Sequence, residues 1–445
     1  MKGRTLCMIS AVLMGTFVTG DASMLTSGVS RVKLDNGLVL IHKKTGPLPI
    51  ISVNIFLMTG STSDPQEKLG LMNLVQTLLT KGTRTRSSEQ IAVEIESIGG
   101  SLGAGCSEDY SSVGLTITKK HLAKGMELLA DVFFNPAFPE EELTKEKYMT
   151  DISIKTRHDR IFNVAFDLMM ENLYGSHPYK NLVQGSTMTL QNITREDVVN
   201  RHRQTFGLPN VLITVSGNIG LSETKKLLKK YFSDIQSVSP PQPFYPAPEI
   251  KNTNPVQKKK FEQAYLMTGF RVPSVNSPDY IKLKLLNAWL GGGMSSLLFQ
   301  ELREKAGLGY EVHSFYPTRK EESHFVIYIG LDETSIPVAK EKISALLEDL
   351  KNKTIDAEKL REIKNYLRGT YLLDHQTSGR QGWYLGWWEV LGKGYGYDDE
   401  YLSEIEKLTE KDLQDAARKY FDGERVVVEV IPEKTAAGAD PRLPE

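Results

Sequence analysis

The sequence predicts an α+β protein of two homologous domains, each a mainly antiparallel sheet with helices packed on it, and three observations lead there. Short apolar runs of strand length alternate with amphipathic helical stretches throughout both halves. A helix-and-strand unit recurs: Ile193-Thr194-Arg195-Glu196-Asp197, then Phe206 and an apolar run at 211–215, returns as Leu408-Thr409-Glu410-Lys411-Asp412, then Phe421 and a run at 426–430, at a constant offset of 215 residues. Between the copies, residues 234–257 carry Pro240, Pro241, Pro243, Pro246, Pro248 and Pro255. Proline at this density excludes helix and central strand, so the stretch reads as an extended linker able to span on the order of 70 Å.

The chain order follows from local pattern. Residues 30–44 read as a hairpin about Asp35-Asn36-Gly37, with Val32, Leu34, Leu38 and Leu40 alternating. A strand at 50–57 leads through a polar turn at 59–68 into a helix at 70–79. Ile91, Ile95 and Ile98 mark a second helix, stopped by Gly99-Gly100, and strands follow near 101–107 and 111–118. Leu122, Met126, Leu129, Val132 and Phe133 mark another helix, which Pro136 and Pro139 separate from a long charged helix at 140–157. A helix near 161–174 precedes the loop His177-Pro178-Tyr179. The second half repeats a long charged helix at 356–371 and an aromatic-rich helix at 380–392 ahead of its helix-and-strand unit. In the aromatic helix, Trp383, Trp387 and Leu391 form one apolar face beside Tyr384 and Trp388, a pattern that predicts core. The resulting organisation is 28–233, a linker at 234–257, 258–434, and a tail at 435–445 without apolar periodicity, expected to be disordered.

Composition excludes some functions. With 54 basic and 55 acidic residues, no excess charge points to nucleic acid or an anionic membrane. Residues 1–22 carry Lys2, Arg4, an apolar run and Gly20-Asp21-Ala22, the pattern of a secretory signal cleaved after Ala22, with an uncleaved membrane anchor as the alternative. Loss of Cys7 with that signal leaves Cys106 alone, so the exported chain is expected to have no internal disulfide, no membrane attachment and a periplasmic or otherwise secreted location. The eight histidines are scattered, with no helical-turn pair beside a carboxylate, and neither Ser nor Cys sits in a nucleophile-elbow pattern.

Several motifs together resemble the pitrilysin/insulinase superfamily, in particular its two-domain members similar to mitochondrial processing peptidase and its bacterial relatives. They are Leu34-Asp35-Asn36-Gly37-Leu38, Thr59-Gly60-Ser61, Gly70-Leu71, His177-Pro178-Tyr179, the Ile193–Asp197 motif, Gly291-Gly292-Gly293-Met294-Ser295-Ser296, and Leu302-Arg303-Glu304-Lys305-Ala306-Gly307-Leu308-Gly309-Tyr310. The resemblance implies an inverted zinc motif on the 70–79 helix, with its first histidine at Asn73, its catalytic glutamate at Gln76 and its second histidine at Thr77. The third ligand falls on Ser153 of the long charged helix, and a supporting glutamate on that helix is kept as Glu146. Amide and hydroxyl side chains neither ligate zinc well nor take a proton from water. No catalytic zinc, and no cofactor, is therefore expected in this chain.

The second half departs less from the family pattern. An arginine and a tyrosine that the resemblance places across the cavity from zinc match Arg303 and Tyr310, groups able to hold a peptide carbonyl and stabilise an oxyanion. The resemblance thus implies a non-catalytic subunit of an exported heterodimeric zinc metallopeptidase, pairing with a homologous zinc-bearing subunit and binding peptide. The competing readings are a structural protein similar to the core subunits of the mitochondrial cytochrome reductase, and a self-associating peptide-binding module.

Overall fold

The computed structural model describes residues 25–246 and 252–433. The signal at 1–22 and the tail at 435–445 lie outside the described residues, as does the 247–251 part of the linker. The first sheet opens with the expected hairpin, β1 (Val29–Lys33) and β2 (Val39–Lys44), followed by β3 (Ile50–Leu57). Helices α1 (Leu71–Leu78) and α2 (Ser88–Ser97) precede β4 (Ser101–Cys106) and β5 (Ser111–Thr118). Then come α3 (Leu122–Phe134), α4 (Glu140–Arg157), α5 (Ile161–Tyr174), α6 (Thr187–Asn192) and α7 (Arg195–Thr205), and the first half closes with β6 (Val211–Gly217) and α8 (Leu221–Phe232).

The proline-rich stretch has no helix up to residue 246, and its end is already strand: β7 (Val256–Lys259) starts two residues inside the expected linker. After it come β8 (Ala264–Val272), α9 (Tyr280–Gly291), β9 (Gly309–Phe315) and β10 (Ser323–Leu331). The remaining elements are α10 (Ile336–Asn352), α11 (Ala357–Asp374), α12 (Ser378–Val390), α13 (Tyr397–Lys407), α14 (Glu410–Phe421) and β11 (Arg425–Pro432). Among the described residues no helix is long and apolar enough to cross a membrane.

The sheet topology carries the duplication. The first sheet has the order β1-β2-β6-β3-β5-β4 and the second β7-β11-β8-β10-β9. Without β1 the two orders correspond strand for strand, and so do the directions: β2 runs parallel to β6 as β7 does to β11, and every other pairing is antiparallel. The repeated helix starts also correspond. Thr194 and Thr409 each cap their helix in a reciprocal capping box with the aspartate three residues on, satisfying backbone N–H groups that a helix start leaves free.

Each sheet is covered on one face by helices of its own half and on the other by a helix of the other half. Ile51, Val53, Ile55, Ile213 and Val215 point into the first half's core, with α1 and α3. The alternate residues, Ser52, Asn54, Phe56, Thr214 and Ser216, lie beneath α12. Three glycines permit that approach: a Cβ on Gly379, Gly382 or Gly386 would lie 2.9 Å from Ser52 Oγ, 2.3 Å from Ser216 Oγ and 2.2 Å from Phe56 Cε2. Ser216 donates to the Ser378 carbonyl at 2.7 Å, satisfying its buried hydroxyl. In return α5 covers the second sheet, packing Met169, Leu173 and Tyr174 on Met267, Val426 and Val428, with Gly269 giving the clearance. The aromatic helix α12 therefore buries a face shifted from the expected one. Trp388 and Leu391 sit in the second half's core, while Trp383 and Trp387 stack 5.2 Å apart, half-buried at the seam between the halves.

A polar clasp adds to this exchange. Arg319 clamps Glu108 with two guanidinium nitrogens, one at 2.6 Å, and the Lys320 backbone N–H donates to Asp109 at 2.9 Å. Tyr179 donates its hydroxyl to Asp109 and receives the Glu321 backbone N–H at 3.1 Å. Its neighbour His177 stacks 5.2 Å from Tyr245 of the proline-rich stretch. The His177-Pro178-Tyr179 motif thus joins both halves and the linker.

Candidate functional site

Helix α1 is fixed at its start by a buried carboxylate. Gly70 has φ 96°, and a Cβ there would lie 2.4 Å from the Gln184 carbonyl, so glycine is required on both counts. Asp64 accepts the Gly70 and Met72 backbone N–H groups at 3.1 Å each, doing the work of a capping side chain. Arg201 of α7 approaches Asp64 to 3.6 Å, but burial dominates and pushes the carboxyl up to about 7.

The three residues expected at the zinc motif all lie on α1, which packs against α4 carrying Ser153 and Glu146. Thr77 turns its hydroxyl back onto the helix, donating to the carbonyls of Asn73 at 3.1 Å and Leu74 at 3.2 Å. Gln76 is 1% exposed, and neither its amide nitrogen nor its oxygen has a hydrogen-bond partner. Ser153 is exposed. Glu146 pairs with Lys81 at 2.8 Å, so the kept glutamate faces a cation from the turn after α1. The donors offered are one amide oxygen from each of Asn73 and Gln76 and two hydroxyls, one already engaged. Such a set does not fit Zn²⁺, which takes imidazole, thiolate or carboxylate. Among the described residues no group of three or more His, Cys, Asp or Glu side chains is placed to hold a metal ion. Cys106 is no substitute nucleophile: its thiol donates to the Ser107 carbonyl and burial raises its pKa, keeping it protonated.

Arg303 and Tyr310 are brought side by side. Helix α9 ends at Gly291, where a Cβ would lie 2.1 Å from the Ser314 backbone nitrogen, so β9 runs tight against the helix end. A π-helical turn at Phe299–Glu304 then presents Arg303, whose guanidinium lies 4.9 Å from the Phe299 ring centroid. Gly307, at φ 63°, folds the chain back, and Arg303 Nη1 donates to the Tyr310 carbonyl at 2.8 Å. The Tyr310 ring, at the first turn of edge strand β9, is 72% exposed. Both side chains are open to solvent, with guanidinium N–H groups left over for another acceptor. Lys81, Asp64 and Arg201 were not singled out from sequence; an isolated Asp before a Gly-started helix was the one available signal.

Two family models match. "Insulinase (Peptidase family M16)" covers residues 39–187 and "Peptidase M16 inactive domain" covers 192–367. The chain belongs to the peptidase M16 family. Relatives in this M16 family include an uncharacterised zinc protease of Bacillus subtilis, YmxG, 27% identical over 91% of this chain and 98% of its own length. Another, from Rickettsia felis, also named as an uncharacterised zinc protease, is 26% identical over 87% of this chain and 94% of its own. Among solved structures, a peptidase M16 inactive domain from Pseudomonas fluorescens superposes with a TM-score of 0.85 at 21% identity, covering 91% of this chain and 98% of that one. A protease from Helicobacter pylori gives 0.85 at 23% identity, covering 91% and 99%. These likenesses establish the M16 fold along nearly the whole of the described chain. Asn73, Gln76, Thr77 and Ser153 stand in it at the positions to which the sequence resemblance assigns the zinc motif.

Proposed function

We propose that this chain is the non-catalytic subunit of an exported, two-chain M16 zinc metallopeptidase, and that Arg303 and Tyr310 complete the active site of a homologous zinc-bearing partner. The observation that carries the reading is the contrast between the two halves. The α1 site offers no adequate zinc donor, whereas Arg303 is anchored on the Tyr310 main-chain carbonyl and both side chains are left exposed. In the partner, zinc would supply an activated water for attack on a peptide carbonyl. Arg303 would hold that peptide through its free N–H groups, and Tyr310 would donate to the oxygen that becomes negative during the attack.

Surface chemistry supports a partner. Tyr148, Met149 and Ile152 on α4, Met188 on α6, and Met294 beside the Arg303 turn are large apolar side chains left in solvent. A purely structural role would give an exposed Arg–Tyr pair no use. The test is to express this chain and an M16 chain with an intact inverted zinc motif, separately and together, and to assay peptide cleavage. Activity is expected only from the pair. Arg303→Ala should lower kcat by roughly 10²-fold or more, and Tyr310→Phe by less, with the complex still forming. Full activity of the partner alone, or no effect of Arg303→Ala in an intact complex, overturns the proposal.

A further inference from the structure

A cavity of about 490 Å³, lined by the first half and the start of the proline-rich stretch, has no acidic residue in its lining and shares none with the Arg303 turn. Its size is within the range of small-molecule sites. Its floor is apolar, built from Phe134, Phe138, Val199 and Phe206, with Val238 closing one side. Around the rim stand three arginines, Arg84, Arg195 and Arg203, and none of them has a carboxylate partner among the described residues. The contrast with Arg86 is direct: two residues from Arg84, it is matched by Glu94, Glu127 and Asp131. Most other described arginines have a carboxylate within ion-pair distance; at this cavity three stand together without one.

The cavity is also built rather than left over. Arg195 Nε and Nη2 donate to the carbonyls of Phe138 and Ala137 at 2.6 and 2.7 Å, and the Arg84 backbone N–H donates to the Asn135 carbonyl at 3.0 Å. These bonds hold a wall in which Phe138 takes φ 46°, a left-handed conformation that a non-glycine residue adopts only when its surroundings impose it. The opposite wall is the start of the proline-rich stretch, tied down by the Leu208 N–H to the Gln236 carbonyl at 2.8 Å and the Val238 N–H to the Leu208 carbonyl at 2.7 Å. His202 hydrogen-bonds the Phe133 carbonyl and, kept neutral by burial, adds an uncharged ring to the apolar lining. On α7 the sequence shows the same design as a stripe: Arg195, Val199, His202, Arg203 and Phe206 at helical spacing.

We propose that this cavity binds a small organic anion with an aromatic-sized apolar body, the body on the phenylalanine floor and a carboxylate head among the three arginines. Guanidinium groups without carboxylate partners match a planar carboxylate through their remaining N–H donors, and the apolar floor rejects a fully hydrated inorganic ion. A carboxylate of this kind can be a free acid or the last residue of a peptide. This site is separate from the Arg303–Tyr310 pair, so its test needs neither partner nor activity.

N-acetyl-phenylalanine, its neutral amide, and a hexapeptide ending in phenylalanine with a free C-terminus would each be titrated into the purified chain by calorimetry. N-acetyl-phenylalanine is expected to bind saturably, with affinity falling as salt rises, and the amide roughly tenfold or more weaker. Arg84→Gln with Arg203→Gln should lower affinity at least tenfold while the unfolding midpoint stays unchanged, since both side chains are exposed. Val199→Trp, which fills the cavity without touching a charge, should abolish binding. Comparable binding of the hexapeptide assigns the site to chain termini; binding of the free acid alone assigns it to small acids. Absence of saturable binding, equal affinity for acid and amide, or wild-type affinity in the double variant overturns the proposal.

Discussion

Gln76 carries an energetic cost that nothing around it relieves. A buried amide with no partner has given up its bonds to water without replacement, a cost on the order of 1–3 kcal/mol. Replacement by methionine, similar in length and apolar, should therefore raise the unfolding free energy by about 1 kcal/mol, read from urea denaturation. A lower stability would show that the amide makes a needed interaction. The identities at this site were legible from sequence once the family motifs had fixed the positions. What the sequence did not show was the state of each side chain: Thr77 folded back on its own helix, Gln76 unpartnered, and Glu146 engaged by Lys81. Those are outcomes of packing, and no spacing rule reports them. Likewise, the seven-residue interval between Arg303 and Tyr310 gave no hint that a π-turn and Gly307 bring them into direct contact.

At the scale of elements, periodicity located most of the first half's strands and helices, because capping boxes, glycine stops and alternating apolar residues are local signals, whereas β7 to β10, α10 and α13 of the second half were not placed. Which sheet each helix covers is not local. Ser52, Asn54, Thr214 and Ser216 alternate with apolar residues along β3 and β6, and nothing in that alternation says that α12 from the other half lies across them. The same sequence logic set the Trp383 face inward, whereas the exchange turns Trp388 into the core and leaves Trp383 at the seam. The glycines of α12 carry the consequence. Gly386→Val would force its side chain into the Phe56 ring and Thr214, costing on the order of 1–3 kcal/mol. Thermal unfolding should show the drop, and limited proteolysis should show faster cutting between the halves; an unchanged midpoint would mean that α12 is free to move away from the sheet.

The molecule as a whole should lose stability on the acid side of neutrality, because several buried histidines outweigh one buried carboxyl that titrates in the opposite sense. Burial holds His177 and His202 down to about 4, and His42 and His324 shift the same way. Unfolded imidazoles titrate near about 6.5. With folded values below unfolded ones, their contribution is fully present above that pH and is lost as pH falls towards about 4. Asp64 works in the opposite sense. Its folded value, raised to about 7, lies above the unfolded one, so its contribution is fully present below the unfolded value, shrinks across the interval between the two and is gone once pH passes about 7. Over that interval it offsets part of what the histidines gain. Urea midpoints followed from about pH 4 to about pH 8 should therefore rise with pH and level off above about 7. Asp64→Asn should steepen the rise, and His202→Gln should make it shallower. A rise left unchanged by Asp64→Asn would contradict the role given to Asp64.

The mutual covering of the sheets by α5 and α12 has a bearing on how this chain could be divided. Each half carries a piece without which the other would expose a greasy or polar-lined face, so neither half is a self-sufficient unit that recombination could shuffle away on its own. The covalent thread through the prolines is then almost incidental. Two fragments made by severing it should still find one another in a refolding mixture and co-elute as a single species, like two hands already clasped when the string between them is cut.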